Sequence, residues 1–70
     1  MGFKEFLFTA LVADGVIEEE ENTVEDISVD FIYGETDLVE DDIVDYWEAY
    51  RKQCDDDNVE PVNDVDGWNP

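Results

Sequence analysis

Apolar positions in this chain fall in three runs separated by acid-rich or turn-forming punctuation. The most regular run spans Asp37–Gln53 and continues to Cys54. Val39, Ile43, Tyr46, Trp47, Tyr50 and Cys54 recur at steps of 4, 3, 1, 3 and 4. A 3.6-residue repeat places such positions on one face, so the spacing predicts a helix. Asp37 has the short polar side chain of an N-cap, and Glu40 three residues later completes a capping-box pattern. Acids fill the first turns, while Arg51 and Lys52 fall in the last, an order that complements the helix dipole at both ends. Glu48 and Lys52 add an i,i+4 pair in the favourable orientation.

The first run, Phe3–Ala13, carries Phe3, Phe6, Leu7, Ala10 and Leu11 at helical spacing, with Phe8 and Val12 apolar as well. A helix apolar nearly all round has to be well buried. Asp14-Gly15 would stop it, with Gly as the C-terminal cap. The rival is a hairpin turning at Asp14-Gly15. Its second strand, Val16–Glu20, would be rich in Glu, a residue depleted in strands. The middle run, Thr23–Tyr33, supports two readings. Thr23 with Asp26 could cap a helix that presents Val24, Ile27 and Phe31 and ends at Gly34. Yet Ile27-Ser28-Val29-Asp30-Phe31 alternates as a strand does. A lone strand has no partner unless Phe3–Ala13 is also a strand, so the two choices are linked. The favoured fold is all-α, a small three-helix domain. The alternative is α+β, an N-terminal β-hairpin or strand pair packed on the C-terminal helix.

Composition divides the chain further. Eight of the nine aromatics precede residue 51, and acidic disordered chains are poor in aromatics. Residues 1–54 therefore read as a small folded domain. Residues 55–70, rich in Asp, Asn, Pro and Gly, read as a disordered acidic tail. Trp68 within it is either a stray terminal aromatic or a short anchor docking on a partner, since Trp is enriched at binding hot spots. Seventy residues make one domain at most, and a chain so short buries only about 60% of its unfolded surface. Cys54 is the only cysteine, so no internal disulfide forms and a reducing compartment fits. Phe3–Val12 is too short to span a bilayer. Lys4 alone makes a thin n-region for a signal peptide, leaving the cytoplasm as the expected location.

Charge narrows the partners. Asp and Glu number 22 against 3 Lys and Arg, a net charge of −19. Such a surface repels nucleic acid and anionic membranes and attracts basic proteins and cations. Phosphate neutralisation needs more than Lys4, Arg51 and Lys52, so direct nucleic-acid binding is excluded. Calcium loops need an acid at their first position. The frame around Gly67 places Val62 there, and the frame around Gly15 places Ala10. Close carboxylate pairs are unavoidable among 22 acids and point to no catalysis. Histidine is absent, and no serine or cysteine sits in a nucleophile motif. No catalytic residue, cofactor or metal site is predicted, and the chain is not expected to be an enzyme. Metal buffering by the acidic blocks is a weaker alternative.

The candidate binding residues are acids in rows. Asp37, Asp41, Asp45 and Glu48 follow one another at 4, 4 and 3 residues, which on a helix sets carboxylates about 5–6 Å apart. Asp42 widens the row, and Glu18, Glu19, Glu20 and Glu21 form a second block. Rows at that pitch approach the phosphate spacing of a nucleic-acid strand. Solubility alone needs a net charge of about 2–8 in magnitude. The excess points to a nucleic-acid mimic, to binding of another basic partner, or to a salt-rich milieu. The leading reading is a monomeric, non-enzymatic accessory protein that binds a basic surface. Its alternatives are an assembly module using an aromatic patch of Tyr46, Trp47 and Tyr50, for which core burial is the preferred explanation, and solubilising charge alone.

The run Leu38-Val39-Glu40-Asp41-Asp42-Ile43-Val44-Asp45-Tyr46-Trp47-Glu48-Ala49-Tyr50 and the ending Asp66-Gly67-Trp68-Asn69-Pro70 resemble, in composition and texture, small acidic orphan proteins of bacteriophages, including those of marine cyanobacteria. That resemblance implies a basic host protein as the partner, with DNA-binding proteins, nucleases and polymerase as the kinds of target, and the host cytoplasm as the location. It assigns no role to any residue.

Overall fold

Phe3, Leu7 and Leu11 stand four residues apart, so a helix stacks them in one row. All three are completely buried in the computed structural model, which describes residues 2–69. They belong to α1 (Phe3–Ala13), which is followed by a single 3-10 turn at Val24–Asp26, α2 (Val29–Glu35) and α3 (Glu40–Asp56). No strand forms among the described residues, and the three-helix reading holds.

The hairpin alternative fails at Asp14-Gly15. Gly15 adopts φ +75°, its N–H donates to the Val12 carbonyl (3.1 Å), and the Val16 N–H donates to the Leu11 carbonyl (2.9 Å). This is a Schellman closure, which ends a helix and satisfies its last carbonyls. The same closure ends α3. Asn58 takes the left-handed position at φ +57°, with Asn58 N–H to Asp55 (3.2 Å) and Val59 N–H to Cys54 (2.9 Å).

The middle segment is neither one helix nor a paired strand. The Asp26 carboxylate accepts the Thr23 N–H (2.9 Å), but the turn it starts lasts only three residues. Ile27 is extended and fully buried, and Ser28 then caps a new helix, its hydroxyl accepting the Phe31 N–H (3.1 Å). Gly34 lies inside α2. The helix stops at Thr36, which gives both its N–H and its hydroxyl to the Ile32 carbonyl. The alternation around Ser28 leaves one trace, an isolated bridge in which the Val29 N–H donates to the Asp66 carbonyl (3.1 Å).

Helix α3 is shifted towards the C-terminus relative to its predicted span. Its N-cap is Val39, not Asp37, and the Asp42 carboxylate accepts the Val39 N–H (2.9 Å). Thr36 and Asp37 form a bend ahead of the helix, the Thr36 hydroxyl accepting the Leu38 N–H (3.1 Å). At the other end α3 continues to Asp56. Arg51 and Lys52 thus precede the final turn, and Asp55 and Asp56 occupy it, against the helix dipole.

Residues 55–69 are ordered, which overturns the disordered tail; Pro70 lies outside the described residues. Gly2 offers α1 no capping side chain, and the tail provides the missing acceptors. The Phe3 N–H donates to the Val62 carbonyl (2.8 Å) and the Lys4 N–H to the Asp64 carboxylate (2.6 Å). A Cβ at Gly2 would collide with that carboxylate. The Val62 N–H donates to the Tyr50 hydroxyl (2.9 Å). Val65 and Trp68 are buried, and Trp68 packs on Phe3 and Trp47 at centroid distances of 5.2 and 5.3 Å. Trp68 is therefore not a stray terminal aromatic; it completes the chain's own core, and only a small part of it reaches the surface. The radius of gyration, 11.4 Å, matches the roughly 11 Å of a compact chain this long. High charge with few apolar residues favours disorder. Here two well-placed apolar side chains and the open end of α1 outweigh it.

Candidate functional site

Helix α3 sets the geometry of the candidate surface. Ile43, Tyr50 and Cys54 face the core, and Asp41, Asp45 and Glu48 are exposed on the far side. A rise of 1.5 Å per residue makes this row about 10 Å long, the length of about three phosphates on one DNA strand. Two predicted members leave it. Asp37 is exposed in the loop before the helix, and Asp42 is half-buried with its carboxylate committed to the Val39 N–H.

Glu18, Glu19, Glu20 and Glu21 are exposed in the turn after α1. The turn is closed by Glu21 N–H and the Asn22 side-chain amide, both donating to the Glu18 carbonyl (3.2 and 3.0 Å). Glu18 and Glu21 border a shallow cleft of about 180 Å³ with Glu35 of α2. Their neighbours there are α2 and loop residues, not the α3 row. Two of the three cations, Arg51 and Lys52, share an open groove of about 590 Å³ with Glu48, Asp55 and Glu60. Glu40, Asp41, Asp42 and Asp45, in the N-terminal half of α3, lie on a stretch of helix that carries no cation. Among the described residues no three His, Cys, Asp or Glu side chains converge into a metal-holding group. Among the same residues no helix is long and apolar enough to cross a membrane.

The aromatic patch turns inward. Tyr50 is 2% exposed, and Trp47 is half-buried against Phe3 at 4.9 Å. Tyr46 is half-buried and donates its hydroxyl to the Asp14 carboxylate (2.6 Å), tying α3 to the end of α1. Burial, then the hydrogen bond to Asp14 and the charges of Asp14 and Asp42, push its phenol up to about 12. Burial also raises Tyr50, with Cys54 and Asp64 adding to the shift and the bond from Val62 opposing it. Sequence reasoning missed the Tyr46–Asp14 bond, which spans 32 residues and leaves no local pattern. It also missed an open groove of about 400 Å³ lined by Val44, Trp47, Glu48, Arg51 and Trp68. Its one sequence signal is Val44, an apolar residue a single position off the core-facing stripe.

No protein-family model, curated protein or solved structure matches this chain, so the functional reading rests on charge and geometry.

Proposed function

We propose that this chain is a non-enzymatic accessory protein that binds a basic, nucleic-acid-binding surface of another protein and competes there with nucleic acid. The observation carrying the reading is charge per length. The molecule is 32 Å along its longest axis and carries a net charge of −19, and 32 Å divided by 19 charges is about 1.7 Å per charge. B-DNA carries one negative charge per about 1.7 Å of axis. A basic groove built for a duplex would meet a comparable field here, on a body 23 by 18 Å across. The Asp41, Asp45 and Glu48 row replaces only a few phosphates, so the whole surface supplies the attraction and the row supplies local register. The same reading places the protein in the cytoplasm, that of the host cell if a phage encodes it.

The test is competition for a basic DNA-binding protein holding a labelled duplex, followed by fluorescence anisotropy. At about 50 mM salt the chain is expected to displace the duplex. By about 300 mM, where the Debye length has shrunk to about 6 Å, displacement is expected to fade. The D41N/D45N/E48Q variant is expected to compete less well, mainly through a slower association rate. No displacement at low salt, or displacement indifferent to salt, would remove the proposal.

A further inference from the structure

We infer that the groove between α3 and Trp68 receives a basic segment of the partner that carries one aliphatic anchor residue; this rests on the basic-partner reading above. Val44, Trp47, Glu48 and Arg51 fall at i, i+3, i+4 and i+7 on α3 and, with Trp68, line the groove. Its floor is indole and valine. Trp47 and Trp68 lie 5.3 Å apart by ring centroid, and Val44 is 36% exposed. Among the described residues Val44 is the one large apolar side chain of α3 that stands exposed. Valine is a poorer helix former than the Glu, Lys or Gln that would serve an exposed position. It also adds little to this molecule's own core.

The rim identifies the occupant by its charge. Glu48 lines the groove, Asp45 is adjacent to Val44 in sequence, and Asp41 lies one turn before it, all three exposed. Arg51 lies at the other end, with Asp55 one turn beyond it. A ligand matching this rim carries Lys or Arg on either side of a single branched aliphatic residue. Its cationic heads reach Asp41, Asp45 and Glu48. Its methylene stems cover the groove, and a cation over the Trp47 face adds a cation–π contact. An acidic or purely apolar segment would meet uncompensated carboxylates.

Trp47 and Trp68 are the only two tryptophans in the chain, so intrinsic fluorescence reads this groove directly. The probes are two Lys-rich synthetic peptides without aromatics, one with a central Leu and the other with Ser in its place. The Leu peptide is expected to bind about five- to tenfold more tightly, from burial of part of one aliphatic side chain, and to shift the tryptophan emission. Val44→Thr is expected to remove most of that preference without lowering the melting temperature, since Val44 faces solvent. Equal, salt-sensitive binding of both peptides with unchanged emission would overturn the groove and leave the acidic-surface reading standing. Binding of neither peptide would remove both. A dimer that dissociates on Val44→Thr would overturn the inference by making a second copy the occupant.

Discussion

Two acid-bearing segments of this chain, four consecutive glutamates after α1 and three acids spread over eleven residues after α3, behave differently in the fold. Glu18–Glu21 forms a turn held by local bonds to the Glu18 carbonyl, and all four side chains point to solvent. Residues 59–69 contain three acids, yet the segment caps α1 through Val62 and Asp64 and delivers Val65 and Trp68 to the core. Acid content sets the field that each segment projects; it does not decide order. Order follows from apolar side chains that reach the core and from open backbone donors that need acceptors. Both segments leave their helices through the same Schellman closure, at Gly15 and at Asn58, so the exit geometry is not the cause of the difference.

The strongest way to break the comparison is to remove the tail's anchor. Trp68→Ala is expected to cost about 3–5 kcal/mol, a large part of the roughly 4–10 kcal/mol available to a domain of this size. Urea denaturation followed by circular dichroism reads the loss directly. A midpoint equal to that of the parent chain would mean the tail is not part of the cooperative unit. The next effect concerns the cap. Asp64→Ala leaves the Lys4 N–H without its acceptor and is expected to cost about 1 kcal/mol. Gly2→Ala brings a methyl group against the same carboxylate and is expected to destabilise the parent. In the Asp64→Ala background that clash is gone, so a double-mutant cycle is expected to show strong coupling between the two sites. Simple additivity would contradict the contact.

The legible and illegible parts of the fold divide along the same line. Helix α1 was readable because Phe3, Leu7 and Leu11 repeat at helical spacing, and the body of α3 because Ile43, Tyr46, Trp47, Tyr50 and Cys54 do. The start of α3 was misplaced at Asp37 because Asp37 and Glu40 spell a capping box. The box that forms uses Asp42 and the backbone of Val39, a residue whose side chain carries no capping signal. The split in the middle segment follows from Ser28, which offered a second cap inside what reads as one helix. The tail was misread because its order depends on partners 60 residues away, as in the bond from Lys4 to Asp64. Of the candidate site, Asp41, Asp45 and Glu48 emerged together as predicted from spacing. Asp37 and Asp42 did not, because where the helix begins decides what their side chains do.

Alkaline pH sharpens the contrast on the loop side, where the Tyr46–Asp14 bond is the long-range tie at the loop's entrance. The folded chain holds the Tyr46 proton more tightly than the unfolded chain, which titrates near 10. Its contribution to stability is therefore complete below pH 10 and is lost as pH rises through about 12. Urea midpoints measured across that window are expected to fall for the parent and to fall less for Tyr46→Phe. Equal slopes would mean the bond is absent in solution.

The smallest effects compare the charges themselves. Asp55 and Asp56 occupy the last turn of α3, where the helix dipole is negative, so Asp55→Asn with Asp56→Asn is expected to stabilise by about 0.5–1 kcal/mol at low salt. Changing Glu18, Glu19, Glu20 and Glu21 to Gln removes twice as much charge from a site with no helix end behind it. Single exposed substitutions of that kind stay within about 0.5 kcal/mol each and take either sign, so per charge removed the loop variant is expected to gain less than the two-residue variant. Both gains are expected to shrink in high salt as the exposed charges are screened. A loop gain at least as large per charge would mean that total repulsion, rather than where each acid lies on the fold, governs stability.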